Sequence, residues 1–316
     1  MKFSIVIPLY NKASFIQQTL ASVFAQTLED HEIIVIDDGS SDGSGEVVAS
    51  LIETTGDPRL RLVRQHNAGV AAARNHGIRL ARGEWVCFLD ADDWLHPEFL
   101  ASLAQLITRH PDVDAAATRF RPVADDWQPA PWPLPEQTSH TRIIDLPQRW
   151  MQGIPFFTGS IAIRRELLAA MQPCFPIGES YGEDLDLWFR VAERTPIALA
   201  EQALTAYRTS VDGSLSTLHA GRPAPYLQRM QLRAQARSLW DPMRSSMLHF
   251  VAHQYITLAR LQAAAGRRGA AIQLLLRTLS PGWNIKRWWT TLLMTAALPG
   301  QWIYRWQAWR EQRKAV

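Results

Sequence analysis

Cysteine is nearly absent: two of 316 residues, Cys87 inside an apolar run and Cys174 in a proline-containing loop. That scarcity excludes a disulfide-stapled framework and a cysteine-rich metal site, and it suits reduced thiols in a cytoplasmic protein. Long hydrophobic runs are missing as well. No uninterrupted stretch approaches the roughly 20 apolar residues that span a bilayer. The nearest, "WWTTLLMTAALPGQWIY" from 288 to 304, is short and broken by Pro299. The opening "MKFSIVIPLYNK" is interrupted by Pro8 and Asn11 before it reaches signal-peptide length, so it reads as a first strand and not an export signal. Acidic residues are scarce at one end only. Residues 222–316 hold 2 Asp+Glu against 15 Lys+Arg, a net of +13, whereas residues 1–221 hold 28 against 18, a net of −10. The overall charge of +3 conceals two pieces of opposite electrical character.

What is present in the first hundred residues is an alternation. "FSIVIPLY", "HEIIVIDDG", "RLRLVRQ" and "GEWVCFLDADD" read as strands, separated by amphipathic helices over 13–26, 42–53 and 70–81. Alternation of this kind predicts a parallel sheet with crossover helices. The strands are near-continuous apolar, β-branched runs, as expected where helices cover both faces. A helix over 97–110, opened by Pro97, and a strand "VDAAATRFRPV" follow; residues 122–139 are too Pro-rich for regular structure and read as a surface excursion. A second ordered block places two or three strands around a helix over 183–194, and beyond about 222 the pattern is helical to the end. Two domains are expected, 1–221 and 222–316.

In open parallel sheets ligands bind beyond the carboxyl ends of the strands. Each such end here is polar: Pro8-Leu9-Tyr10-Asn11, Asp37-Asp38-Gly39-Ser40, Gln65-His66-Asn67 and Asp90-Ala91-Asp92-Asp93. Those four clusters are expected to line one crevice. Acidic groups gathered there repel unless a cation or donors intervene. A hard divalent ion such as Mg²⁺ or Mn²⁺, which favours carboxylates, phosphates and water, answers that need. A solvated turn, or a helix N-cap from Asp92 or Asp93, is the plainer alternative.

"IVIPLYNK", "IIVIDDGSSDGS", "HNAGVAAARNHGIRLARGEWVCFLDADD" and "GEDLDLWFR" occur in the order and spacing of the family 2 inverting glycosyltransferases, which this chain resembles over about residues 3–210. The resemblance implies a GT-A type α/β fold, a mostly parallel sheet flanked by helices, followed here by an α-helical C-terminal region. It also implies a nucleotide-sugar donor and a divalent metal, Mn²⁺ or Mg²⁺. Pro8, Tyr10 and Asn11 fall at the nucleoside cradle, with Tyr10 either an aromatic face for the base or a core-edge ring. Asp38 matches the carboxylate that reads a pyrimidine N–H, which favours uracil because a carboxylate only accepts. Asp37 is left to the turn backbone, and Ser40 and Asp42 to capping. Asn67 and Gly69 shape a loop. Arg74 is either a partner for the aspartates or a diphosphate contact. Asp90, Ala91 and Asp92 match the Asp-X-Asp element: Asp92 should ligate the metal and Asp90 the ribose or a metal-bound water, while Asp93 caps the next helix. Asp184 matches the general base, with Glu183 alongside, Asp186 paired to Arg190, and Trp188 either an acceptor-pocket floor or core. "YRTSVDGSLS" is similar to a segment that folds over the diphosphate, with Arg208, Ser214 and Ser216 as candidates and His219 as a further metal ligand or a bland loop residue.

The implied activity is transfer of a sugar, from a UDP-sugar, to a glycan or lipid-linked acceptor in cell-surface polysaccharide or lipopolysaccharide biosynthesis. A catalytically silent nucleotide-sugar-binding or membrane scaffold protein is the alternative. A nucleotidyltransferase would carry a Gly-rich phosphate loop near its start, which "IPLYNKASF" lacks. Past residue 222 the resemblance ends and composition speaks. Six of 13 tryptophans fall between 283 and 309, with Trp302, Trp306 and Trp309 on one helical face and Arg305, Arg310 and Arg313 elsewhere. Tryptophan with flanking arginine suits the membrane interface, so a peripheral place on the inner face of the membrane is expected. Packing on the acidic domain or self-association is the alternative use of the same surface. No nucleic-acid motif accompanies the basic residues, and no nucleic-acid partner is expected.

Overall fold

The computed structural model describes residues 1–135, 138–209, 221–238 and 240–312, and the chain divides into two compact units, Met1–Ser214 and Leu215–Val316. The first unit is built on a nine-stranded sheet, in which β1 (Phe3–Leu9), β2 (His31–Asp37), β3 (Leu60–Arg64) and β4 (Trp85–Phe88) run parallel in the order β3-β2-β1-β4. Every residue of β1, β2 and β4 is buried, because α1 (Ile16–Phe24), α2 (Ser44–Thr55) and α3 (Val70–Leu80) are the crossovers that cover them. The alternation read from sequence is thus the observed order.

α3 lies very close to the sheet. A Cβ on Gly77 would sit 2.2 Å from Val6 Cγ1, so the closest approach falls one turn beyond the small residues Ala71 to Ala73. After β4 the sheet turns mixed. β5 (Trp94–Leu95) is two residues long; α4 (Phe99–Arg109) leads to β6 (Ala115–Val123), and β7 (His140–Ile143), α5 (Leu146–Met151), β8 (Ile161–Arg164) and α6 (Arg165–Ala169) follow. β8 sits antiparallel between β4 and β6, and β9 (Ile197–Arg208), reached through α7 (Glu183–Ala192), runs parallel to β6. The outer edge of β9 is shared: its first half pairs β7 and its second half pairs β5. Asp145 caps α5 by accepting from Gln148 N at 2.9 Å, ahead of Pro147.

The Pro-rich stretch is tied down. Trp127 and Trp132 pack against Trp94 at ring separations of 5.8 and 5.4 Å, and Trp132 Nε1 donates to the Ala203 carbonyl. Both cysteines are buried, and burial pushes the Cys174 thiol up to about 12, so neither is a ready nucleophile.

The second unit is helical throughout its described residues: α8 (Pro225–Ala236), α9 (Pro242–Ala264), α10 (Arg268–Leu276), α11 (Leu279–Gly282), α12 (Lys286–Ala297) and α13 (Gly300–Gln312). Asp241 caps α9 on Met243 N, with Pro242 at the first helical position. Buried Arg260 organises the interior: its Nε donates to Thr291 Oγ1 at 2.6 Å and its guanidinium lies 5.2 Å over the Trp306 ring. The tryptophan stripe therefore splits, since Trp302 is 64% exposed whereas Trp306 turns onto Arg260. Trp309, Arg310 and Arg313 have side chains outside the described residues. Among the described residues no helix is long and apolar enough to cross a membrane.

Candidate active site

Parallel register sets Leu9 opposite Asp37, so the ends of β1 and β2 emerge side by side. The loops that follow are laced together. Asn11, with a left-handed φ of 50°, accepts from Ser41 N at 2.9 Å; its own N–H reaches Ser40 Oγ, and Lys12 N and Ala13 N reach Ser44 Oγ and Asp42 Oδ2. Asn is among the few side-chain-bearing residues that tolerate this conformation. Asp42 also accepts from Ser44 N at the start of α2, whereas Ser40 serves Asn11 and caps nothing. Asp37 accepts from Ser40 N, inside the turn. Pro8 is buried within β1, while Tyr10 is 50% exposed at the crevice edge.

Asp38 is turned onto the third strand's loop. Its Oδ1 accepts from Gln65 Nε2 at 2.7 Å and Ala68 N at 2.8 Å, and its Oδ2 from Gly69 N at 2.8 Å. Three of about four acceptor positions are therefore filled by protein. A Cβ on Gly39 would press to 3.1 Å on Asn67 N, so Gly39 serves the close approach of these loops, whereas Gly69 serves by its left-handed φ of 88°.

Arg74, at the first turns of α3, joins two distant acidic elements. Its Nη2 donates to Asp90 Oδ1 at 2.7 Å and its Nη1 to Glu183 Oε1 at 2.8 Å, with Phe175 beneath the guanidinium at 5.3 Å. Only 4% of the residue is exposed, so of the two roles open to it the fold takes the partner of the carboxylates, and the expectation of a direct diphosphate contact is corrected. Glu183 is the residue that sequence reasoning left without a role. Its carboxyl is pushed up by burial and by neighbouring Asp184, against the pull of Arg74.

The Asp-X-Asp strand end is held by cations from two directions. Lys12 Nζ lies 2.6 Å from Asp92 Oδ2. Arg208 Nε donates to the Asp92 carbonyl, and Arg208 N donates to Asp93 Oδ1 at 2.9 Å. Arg208 also donates to the carbonyls of Asp125 and Trp127, binding the Pro-rich stretch to the same corner. Two expectations are corrected here. Asp93 does not cap α4, whose N-cap Glu98 makes no side-chain cap either; it is buried, and burial beside Asp92 and Asp90 raises its carboxyl. Arg208 is a buried strand residue whose Nε and Nη1 donate to backbone carbonyls, not part of a segment over the diphosphate. Ser214, Ser216 and His219 lie outside the described residues. Lys12 was visible in "YNK", but its partner Asp92 is 80 residues away.

Asp184 sits in the first turn of α7, after Gly182. Its Oδ2 accepts from Thr158 Oγ1 at 2.9 Å and its Oδ1 from Leu185 N at 2.7 Å, so the carboxylate is fixed and half-exposed. Asp186 pairs with Arg190 at 3.0 Å, and Trp188 is core, buried among Phe88, Phe156 and Phe175. Among the described residues Asp90 Oδ2 and Asp92 Oδ1 accept no hydrogen bond, and hard oxygen donors of this kind suit Mg²⁺ or Mn²⁺. Among the described residues no three His, Cys, Asp or Glu side chains gather as a complete metal shell. Two carboxylates with the remaining ligands from phosphate and water is the usual arrangement for such ions.

Comparisons with known proteins bear on the family and the fold. A family model described as Glycosyl transferase family 2 matches residues 4–171. The uncharacterized glycosyltransferase EpsJ of Bacillus subtilis (strain 168) is 29% identical over 215 residues, 65% of this chain and 60% of EpsJ, so the match spans less than two thirds of that relative. Among solved structures, S. aureus TarS 1-349 in complex with UDP-GlcNAc superimposes with a TM-score of 0.65 at 20% identity, covering 93% of this chain and 91% of that one. The mannosyltransferase PcManGT from Pyrobaculum calidifontis, in complex with GDP-Man and Mn²⁺, gives 0.61 at 21% identity over 93% of this chain and 84% of that one. These likenesses establish the GT-A fold. Matched by the family model over more than half its length, the chain belongs to glycosyl transferase family 2.

Proposed function

We propose that this glycosyltransferase is metal-dependent and inverting, and that it moves a sugar from a UDP-sugar to a glycan or lipid-linked acceptor in cell-surface polysaccharide or lipopolysaccharide biosynthesis. One observation carries the reading: buried Arg74 holds Asp90 of the Asp-X-Asp element and Glu183, next to Asp184, within one network. The donor end and the base are thereby built into a single rigid unit. UDP-GlcNAc in TarS and Mn²⁺ in PcManGT support the choice of donor nucleotide and metal.

Tyr10 and the Asn11 loop receive the nucleoside, and Asp38 organises the Asn67–Gly69 loop beside it. Asp92, with Asp90, would hold Mg²⁺ or Mn²⁺. The ion supplies Lewis-acid neutralisation of the charge on the departing diphosphate. Asp184, oriented by Thr158, takes the proton of the acceptor hydroxyl as its oxygen attacks the anomeric carbon. The bond from that carbon to the diphosphate oxygen breaks on the opposite side, its electron pair leaving with the nucleoside diphosphate and the configuration inverting. Contact with the inner face of a membrane is assigned to the C-terminal unit, where Trp283, Leu293, Trp302 and Tyr304 are exposed on a strongly basic background.

The test is transfer and donor hydrolysis with a panel of nucleotide-sugars, with and without Mn²⁺. Wild type is expected to use one donor in a metal-dependent way, and Asp184→Asn to lose about 10²- to 10⁴-fold in turnover while still binding UDP. Undiminished transfer by the variant, or no metal-dependent use of any donor, removes the mechanism.

A further inference from the structure

The second unit contains a cleft of about 400 Å³ that the catalytic reading does not use. Gln231 and Gln235 reach it from one face of α8, Arg244 from the start of α9, and Leu276, Arg277 and Leu279 from the end of α10 and the start of α11. No carboxylate lines it. Asp241, the acidic residue nearest in sequence, is committed to Arg237 at 2.7 Å and to the α9 cap. Arg244 Nε is buried and has no hydrogen-bond partner among the described residues. Leaving such a donor unpaired is unfavourable, so the position favours an acceptor that the described residues do not supply.

The lining has two chemistries at one place. Two guanidiniums can fork onto phosphate oxygens, and two amides add donors for ester oxygens. Leu276 and Leu279 are 59% and 43% exposed, an apolar pair beside the two arginines. A free phosphate would use the arginines and leave the leucines in water. An acylated phosphate uses both.

We infer that this cleft is a binding site for the phosphate headgroup of an anionic lipid. The inference rests on the membrane contact proposed above for the C-terminal unit and names the place where one lipid is held. Two cations removed from such a site, at about 1 kcal/mol each, correspond to about a thirtyfold loss of binding.

The experiment is sedimentation of the full chain with phosphatidylcholine vesicles, with and without phosphatidylglycerol. Wild type is expected to partition onto the phosphatidylglycerol vesicles alone. Arg244→Gln/Arg277→Gln should lose about thirtyfold, whereas the control Lys286→Gln/Arg305→Gln, equal in charge removed, should lose about tenfold less than that. Leu276→Ser/Leu279→Ser should weaken binding with no charge changed. Equal losses in cleft and control pairs would show diffuse attraction and overturn the site. Full displacement by millimolar glycerol phosphate would reassign the cleft to free phosphate and overturn the lipid. If wild type binds neither vesicle, the membrane contact itself fails; if it binds and the cleft variants are unchanged, only the cleft does. Melting temperature and donor hydrolysis, both expected unchanged in the cleft variants, separate misfolding from lost recognition.

Discussion

At the scale of single residues the network around Arg74 sets what the site tolerates. Removing the guanidinium leaves Asp90 and Glu183 without their shared donor in a buried place. Arg74→Ala is therefore expected to cost about 3–5 kcal/mol in urea unfolding. Arg74→Lys should recover only part of this, because one ammonium does not reproduce a planar fork to two carboxylates. Glu183 carries the pH dependence. Burial and Asp184 raise its carboxyl to about 7, so the folded chain keeps a proton that the unfolded chain releases. Stability from this group is full below the ordinary glutamate range and is lost as pH rises toward the raised value. Melting curves across that window should show wild type falling relative to Glu183→Gln by on the order of 1–3 kcal/mol, with the two converging at lower pH. Asp38, Asp90, Asp92 and Asp184 were legible in the sequence, and Arg74 was already a possible partner for the aspartates there, whereas Lys12 and the role of Glu183 were not. Only contact shows that Lys12 serves Asp92, that Arg74 serves Asp90 and Glu183 together, and that the Arg208 guanidinium serves backbone carbonyls.

At the scale of elements, the four parallel strands and their helices could be read off directly, since β1, β2 and β4 are buried on both faces and the apolar runs say so. The second half of the sheet was harder. β5 is two residues long and β9 divides its outer edge between two partners, arrangements that depend on distant pairing and leave no local period. Proline content was read as excluding regular structure from 122–139, yet Pro122 and Val123 still close β6; 124–135 is irregular, and the proline content hid the anchoring role of Trp127 and Trp132, which needs Trp94 on the facing strand. The α3–β1 contact gives the element-level prediction. Gly77→Ala drives a Cβ into β-branched Val6 and should destabilise by about 1–3 kcal/mol. In a Val6→Ala background the same substitution should cost measurably less, a positive coupling in a double-mutant cycle; additive losses would place the strain elsewhere.

At the scale of the whole molecule, charge divides the chain: net −10 over residues 1–221 and +13 over residues 222–316. Deleting residues 283–316 is a poor test of membrane contact, because Ile285, Trp288 and Ile303 are core of the second unit. Substituting the exposed set Trp283, Leu293, Trp302 and Tyr304 with serine removes the apolar face and spares the interior. Cell fractionation is expected to move that variant from membrane to soluble fraction, and unchanged partition would reject the anchor. The linear chain was sufficient for the family, the order of the elements in its first hundred residues and the location of the carboxylates, because periodicity, turn chemistry and charge are local properties. It was not sufficient for the pairing of those carboxylates, the inward turn of Trp188 and Trp306, or the cleft lined by Arg244 and Arg277. Those depend on which residues are brought together across long stretches of chain. A side chain's environment, and with it the cost of its charge or the use of its ring, exists only once the fold has closed around it.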